Sequence, residues 1–177
     1  MPITRLKAIK HVGHLVAALL TSFLPSVTSA RSSESVTCGV TVTPLQFGEY
    51  VPFLGAPTDF TATLTVTCTT TGIVAEPWAG TIALIGADRQ SGRQLRQGSH
   101  PLDYMLYLDP ARTMPWGDGG SGGAVLPVSG TVQPTTPYRK TIVIYGRIPA
   151  LQTSASVGRY SDQITVLLDY SRSAMKR

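Results

Sequence analysis

Residues 145–170 read YGRIPALQTSASVGRYSDQITVLLDY, a turn-rich segment that runs into one alternating strand. Ile164, Val166, Leu168 and Tyr170 fall at spacing two and share one face. Gln163, Thr165 and Asp169 fall on the other, with Leu167 the exception. Period two with β-branched and aromatic residues marks a half-buried strand. This strand lies almost at the end of the chain, where it is a sheet's last member or its exposed edge. An apolar edge left unpaired is an aggregation site, so the first question is what pairs with it.

Upstream, nothing reads as a long amphipathic helix. Val36 to Val42 alternates, with Cys38 and Val40 on one face, and Pro44 breaks the run. Phe47-Gly48-Glu49-Tyr50 follows, then a Pro/Gly loop to Pro57. Phe60, Ala62, Leu64, Val66 and Cys68 alternate against Thr61, Thr63, Thr65 and Thr67, the clearest strand after the C-terminal one. Thr81 to Ile85 reads as a short strand and residues 86–99 as a polar loop. Leu102, Tyr104, Leu106 and Leu108 form another alternating run, ended by Asp109-Pro110. GDGGSGG at 117–123 has no side chains to pack a core and reads as a flexible turn. Val125 to Val132, interrupted by Pro127, is a weaker strand, and Tyr138 to Tyr145 a strong one. Short strands separated by turn signals predict a single all-β sandwich rather than βαβ units.

The first thirty residues read as a secretory signal peptide outside the fold. Arg5, Lys7 and Lys10 make a positive n-region, Leu15 to Leu24 an apolar h-region, and Thr28-Ser29-Ala30 a cleavage site. The apolar run is well short of the roughly 20 residues that span a bilayer. Cleavage after Ala30 leaves 147 of the 177 residues, 31–177, which suits one domain with a real core. The leader carries three of the fifteen Lys and Arg and none of the ten acids, so the mature balance is twelve against ten, a net +2. These basic residues are scattered and make no nucleic-acid footprint.

Cys38 and Cys68 both lie in the mature part. An even count in an exported chain favours a disulfide over a metal site or a redox pair. It would close a loop of about 30 residues, worth roughly 3–4 kcal/mol on the chain-entropy model. A metal site wants more ligands, and His100 is the only mature histidine; a redox pair is usually closer in sequence. No metal and no cofactor is expected.

The catalytic patterns are missing too. A Ser–His–acid triad would have to use His100, which sits in the polar stretch GSHP and reads as a solvated loop residue. No Lys-Ser/Thr follows the glycine-rich turn, so it is not a phosphate-binding loop. Asp103, Asp109 and Asp118 lack the spacing of a calcium loop. Asp109 reads as turn chemistry, with a surface pair to Arg112 worth at most about 1 kcal/mol. The expectation is a protein that is not an enzyme. Trp78 and Trp116 flank loops. They read either as aromatics that stack on a sugar or as rim-packing residues of the sandwich.

Taken in order, these motifs resemble the spore coat protein U domain, the family that includes subunits of archaic chaperone–usher pili. Cys38 precedes Phe47-Gly48-Glu49-Tyr50, and a strand ends Leu64-Thr65-Val66-Thr67-Cys68. The block Leu102 to Asp109 follows, with Arg112 and Trp116-Gly117-Asp118-Gly119. Tyr145 to Gln152 and Gly158 to Asp162 then lead into the final strand. The resemblance covers roughly residues 36–170 and rests on the whole ordered set.

The resemblance implies an incomplete immunoglobulin-like β-sandwich that lacks one strand. A periplasmic chaperone fills the gap first. The N-terminal extension of the next subunit then replaces it, after delivery by an outer-membrane usher. Val40, Val42, Ile164, Val166, Leu168 and Tyr170 are the residues expected at the acceptor groove. The product would be a structural subunit of a pilus, fimbria or coat at the cell surface, active in adhesion or biofilm. Two alternatives remain open. One is a carbohydrate-binding adhesin subunit that recognises host or surface glycans; the other is a self-contained spore-coat-like protein. Two departures from the family pattern matter. RSSESVT, residues 31–37, holds one large apolar residue and looks too short to donate a strand, which suits a terminal or minor subunit. The tail Ser171 to Arg177 runs past Tyr170, where such chains are expected to end, and is expected to disturb docking on a chaperone.

Overall fold

A computed structural model describes residues 7–10, 36–86, 92–120 and 122–172. Among these, every regular element is a strand: β1 (Lys7–Lys10), β2 (Val36–Val42), β3 (Thr58–Thr70), β4 (Glu76–Ile85), β5 (Arg93–Gln97), β6 (His100–Tyr107), β7 (Leu126–Val132), β8 (Tyr138–Ile148) and β9 (Thr165–Arg172). One sheet has the order β1-β9-β4-β7 and the other β2-β3-β8-β6-β5. All ladders are antiparallel except β1–β9, which is parallel. The fold is therefore the all-β sandwich expected from the strand pattern, consistent with the immunoglobulin-like form that the resemblance implies.

The core follows from alternation. In β3, Phe60, Ala62, Leu64, Val66 and Cys68 are buried, while the threonines between them face outward or are half-buried. One outward pair, Thr65 and Thr141, closes a cross-strand contact of 3.1 Å between hydroxyls. Phe47 packs against Phe60 in a tilted pair with ring centroids 3.7 Å apart and meets Tyr104 edge-on at 5.2 Å. Phe60 lies opposite Gly146 in the β3–β8 register, and a Cβ on that glycine would strike the phenyl ring. The glycine is needed for space, not for an unusual backbone angle.

Cys38 and Cys68 face each other in the β2–β3 register and form a disulfide. The bridge therefore ties neighbouring strands of one sheet.

Four expectations need correction. The stretch 86–99 contains β5, whose inward positions are Arg93 and Leu95; an arginine at an inward position removes the apolar alternation that would reveal a strand. β4 starts at Glu76 rather than Thr81, because Trp78 is buried and Gly80 lets Tyr170 of β9 pack directly over it. The glycine-rich turn is pinned rather than loose. Gly117 donates to the Ala124 carbonyl, its own carbonyl accepts from Leu84, and Gly120 donates to the Asp118 carboxylate. Asp109 does not pair with the Arg112 guanidinium. Its carboxylate accepts from the Thr113 and Met114 amides at 2.7–3.1 Å, while Arg112 reaches Asp59 at 3.3 Å.

Lys7–Lys10, within the segment read as a leader, form β1 against β9. The rest of that segment, its cleavage site and residues 173–177 lie outside the described residues. Ser171 and Arg172, read as tail, instead complete β9 and pair with Ala79 and Trp78 of β4.

Candidate strand-accepting seam

The two sheets present neighbouring edges along one side of the sandwich. β2 pairs only with β3, so its other edge carries no strand among the described residues. β9 pairs along its length with β4; its other edge carries β1 over Thr165–Leu168. Beyond Leu168, the stretch Asp169–Arg172 has no strand on that side among the described residues.

The six residues read as groove-lining all lie along this seam. Ile164, Val166 and Leu168 are buried, and Tyr170 is half-buried against the core. Val40 and Val42 on β2 are half-buried and pack against the same cluster. Register explains the set: Val166 and Leu168 face Leu84 and Ile82 of β4, and both of those are fully buried. Leu167, the exception to the sequence alternation, points the other way and is half-buried.

Both walls are held by specific contacts. On the β2 side the disulfide clamps Cys38 to β3. On the β9 side Arg172 grips Glu76, which is only 3% exposed. The guanidinium Nε donates to Oε2 at 2.9 Å and Nη2 lies 2.6 Å from Oε1. The second contact is an ion pair without hydrogen-bond alignment, so Oε1 is charge-compensated but not well bonded. The sequence reading missed this pair because it treated Arg172 as tail. The signal available was an acidic residue at an inward position of a strand.

The loop before β9 is positioned by tyrosines. Tyr50 donates to the Pro149 carbonyl and accepts from the Gln152 amide, both at 2.9 Å. Tyr160 bonds the Ser156 backbone in both directions. Tyr104 donates to Asp162 at 2.7 Å. Burial pushes the Tyr104 phenol far above its ordinary range, and the bond to Asp162 adds to the shift. Arg93 faces Tyr104 across β5–β6, where burial lowers its guanidinium against the nearby phenol and Asp162. At the same pole, Arg147 donates twice to Asp59 at 2.7 and 2.8 Å and holds that carboxyl below the ordinary range, with Arg112 adding its charge.

Trp78 and Trp116, read as either sugar-stacking or rim-packing aromatics, lie in the core. Trp78 is 1% exposed on β4 and meets Tyr138 edge-on at 5.3 Å. Trp116 is 3% exposed and donates its indole N–H to the Ile82 carbonyl at 3.0 Å. Neither ring has a face left for a sugar. His100 is exposed at the start of β6, in a strand rather than a loop. Among the described residues no group of three or more His, Cys, Asp or Glu is placed to hold a metal, and no helix is long and apolar enough to cross a membrane.

No curated protein matches the chain. A family model described as the Spore Coat Protein U domain matches residues 25–167. That span takes in the disulfide, β2 to β8, and β9 up to Leu167. The chain belongs to the spore coat protein U domain family, whose members are exported structural subunits of surface appendages and coats.

Proposed function

We propose that this protein is a structural subunit of a pilus, fimbria or coat, and that its sandwich is completed at the β2–β9 seam by a strand from a partner. The observation that carries this reading is the occupancy of the β9 edge. That edge takes up a strand, β1, from a segment the sequence marks as a removable leader. Once residues 1–30 are gone, Val166 and Leu168 have no neighbour on that side among the described residues, and an apolar edge of this kind is a template for another chain. A donor that buries four or five apolar side chains would gain about 6–15 kcal/mol before entropy costs. The partners are a periplasmic chaperone first, then the usher and sibling subunits at the outer membrane.

The subunit accepts without donating. β2 begins at Val36 and is committed to β3 and the disulfide, so only RSSES precedes it after cleavage at Ala30. This favours a terminal or minor place in the fibre. Production of residues 31–177 with and without the cognate chaperone tests the reading. The chaperone should raise periplasmic yield sharply; equal yield without it overturns strand donation.

The same β1–β9 pairing favours a second reading, a self-contained coat protein that closes its own sheet. A full chain that keeps residues 1–30 in the finished coat and remains a stable monomer would support that reading.

A further inference from the structure

We infer that copies of this chain join end to end, with the Ile73–Val74 turn of one copy seated in a cavity at the opposite pole of the next. The inference goes beyond strand acceptance, because the contact needs no donated strand and no residue of the leader. The registers fix the two poles. β2 ends at Val42, β3 begins at Thr58, β8 ends at Ile148 and β9 begins at Thr165, all at one pole of the sandwich. β3 ends at Thr70, β4 begins at Glu76, β8 begins at Tyr138 and β9 ends at Arg172 at the other. The short β3–β4 connection, residues 71–75, crosses between the sheets there and carries Ile73 and Val74.

At the first pole a cavity of about 340 Å³ lies between residues 48–52 and 155–160. Tyr50, Leu102, Ala155 and Tyr160 give it apolar and aromatic walls, and Glu49 is the one charged side chain in its lining. Phe53 and Leu54 follow Pro52 of the lining and are exposed, Phe53 by 75%. Leu151, also exposed, holds φ at 62°, an uncommon angle for a residue with a side chain. The Tyr50 hydroxyl fixes the backbone on both sides of it, through Pro149 and Gln152. Strain kept where it displays an apolar side chain points to a contact.

The other pole supplies the matching part. The Gly72 amide donates to the Thr70 hydroxyl at 2.9 Å and shapes the turn that presents Ile73, 86% exposed, and the exposed Val74. Of the ten large apolar side chains exposed among the described residues, five fall within 51–54 and 151–157, beside the cavity, and two form this turn. Apolar surface gathered in this way marks a contact rather than scatter. Size and charge agree. An apolar cavity of about 150 Å³ takes a benzene-sized group, so this one has room for two aliphatic side chains. Within 70–78, 130–140 and 170–172, every exposed charged residue is a cation (Arg139, Lys140 and Arg172), opposite in sign to Glu49. Two different surfaces at opposite poles make a heterologous contact, which repeats into a filament instead of closing into a pair. A chain that accepts a strand without donating one thereby gains a way to carry a neighbour of its own kind.

The test uses the disulfide-bonded chain 31–177, alone or in its chaperone complex, followed by sedimentation velocity over rising concentration. The parent should grow from single units into a series of end-to-end oligomers. Ile73→Asp sets an acid against Glu49 and leaves the cavity intact. Glu49→Lys/Val157→Arg sets cations against the basic pole and leaves the turn intact. Each variant should weaken association about tenfold or more. All three positions are exposed, so both variants should keep the parent's unfolding midpoint. Mixed in equal amounts, the two variants should form a one-to-one dimer and nothing longer, because one intact turn and one intact cavity remain between them. A parent that stays unassociated up to about millimolar concentration overturns the inference. So does a mixture that forms no dimer, or association that survives in both variants. Surviving association would run through another surface and leave strand acceptance standing; strand acceptance fails on chaperone-independent yield, which this contact does not affect.

Discussion

Replacing Arg172 with methionine tests whether β9 extends through the residues first read as tail. Methionine keeps much of the aliphatic length but removes the guanidinium that touches both oxygens of Glu76. The carboxylate is left 3% exposed with its charge uncompensated. Breaking a buried pair from one side costs about 3–5 kcal/mol. The Arg172 side chain is itself 51% exposed, so water enters readily where it stood. The expected loss is therefore toward the low side, about 2–3 kcal/mol. Urea unfolding of the disulfide-intact chain should show a lower midpoint with an unchanged slope. Glu76→Gln/Arg172→Met should recover part of the loss, because no lone charge remains in the core. A midpoint within about 0.5 kcal/mol of the parent, the usual surface effect, refutes the argument. A double variant as unstable as the sum of the singles refutes it too, since contacting residues in one pair should couple.

Three further outcomes follow from the same structure. Cys38→Ser opens the bridge to Cys68 and should lower stability by roughly 3–4 kcal/mol, read as a sharp fall in periplasmic accumulation; parent-level yield contradicts the role of the bridge. Gly146→Val drives a side chain into the Phe60 ring and should cost at least 1–3 kcal/mol by calorimetry, relieved in part by Phe60→Leu. Asp59 has its carboxyl lowered by the Arg147 hydrogen bonds, so the stability it contributes is present above a free aspartate's 3.8 and lost as pH falls below it. Asp59→Asn should therefore cost at most about 1 kcal/mol at neutral pH, because the pair is exposed, and should flatten the acid limb of the stability profile. An unaltered acid limb excludes the pair as a contributor.

Much of the sandwich is visible in the residues because half-buried strands write their inward face at spacing two. Val36–Val42 matches β2 end for end, and Phe60 to Cys68 lies wholly inside β3. The pattern fails where an inward position is not apolar. Arg93 hides β5, Glu76 and Gly80 hide the first half of β4, and Gly146 hides the extension of β8. In each case the unusual residue answers a partner distant in sequence: Asp162 and Tyr104 for Arg93, Arg172 for Glu76, Tyr170 for Gly80, Phe60 for Gly146. Such partners are fixed by topology, which spacing does not reveal. The tryptophans fail for a related reason. Trp78 and Trp116 border turn-forming residues, yet burial was decided by the strands facing them.

The inward face of Val166, Leu168 and Tyr170 was legible from the apolar alternation of β9. What spacing could not supply is the rigidity of the two walls. β2 is covalently tied to β3 at Cys38, and β9 is laddered to β4 from Thr165 to Arg172 with the Glu76 clasp at its far end. On the proposed strand-acceptor reading, neither wall would need to order itself, so the entropy cost of binding would fall mainly on the donor. On that proposal the two structural devices share one role. Loosening either wall should weaken strand uptake more than its effect on global stability alone accounts for. Arg172→Met, measured for peptide uptake at a urea concentration where both proteins stay folded, separates the two effects. Uptake that tracks folded fraction alone would reduce the clasp to a stability element.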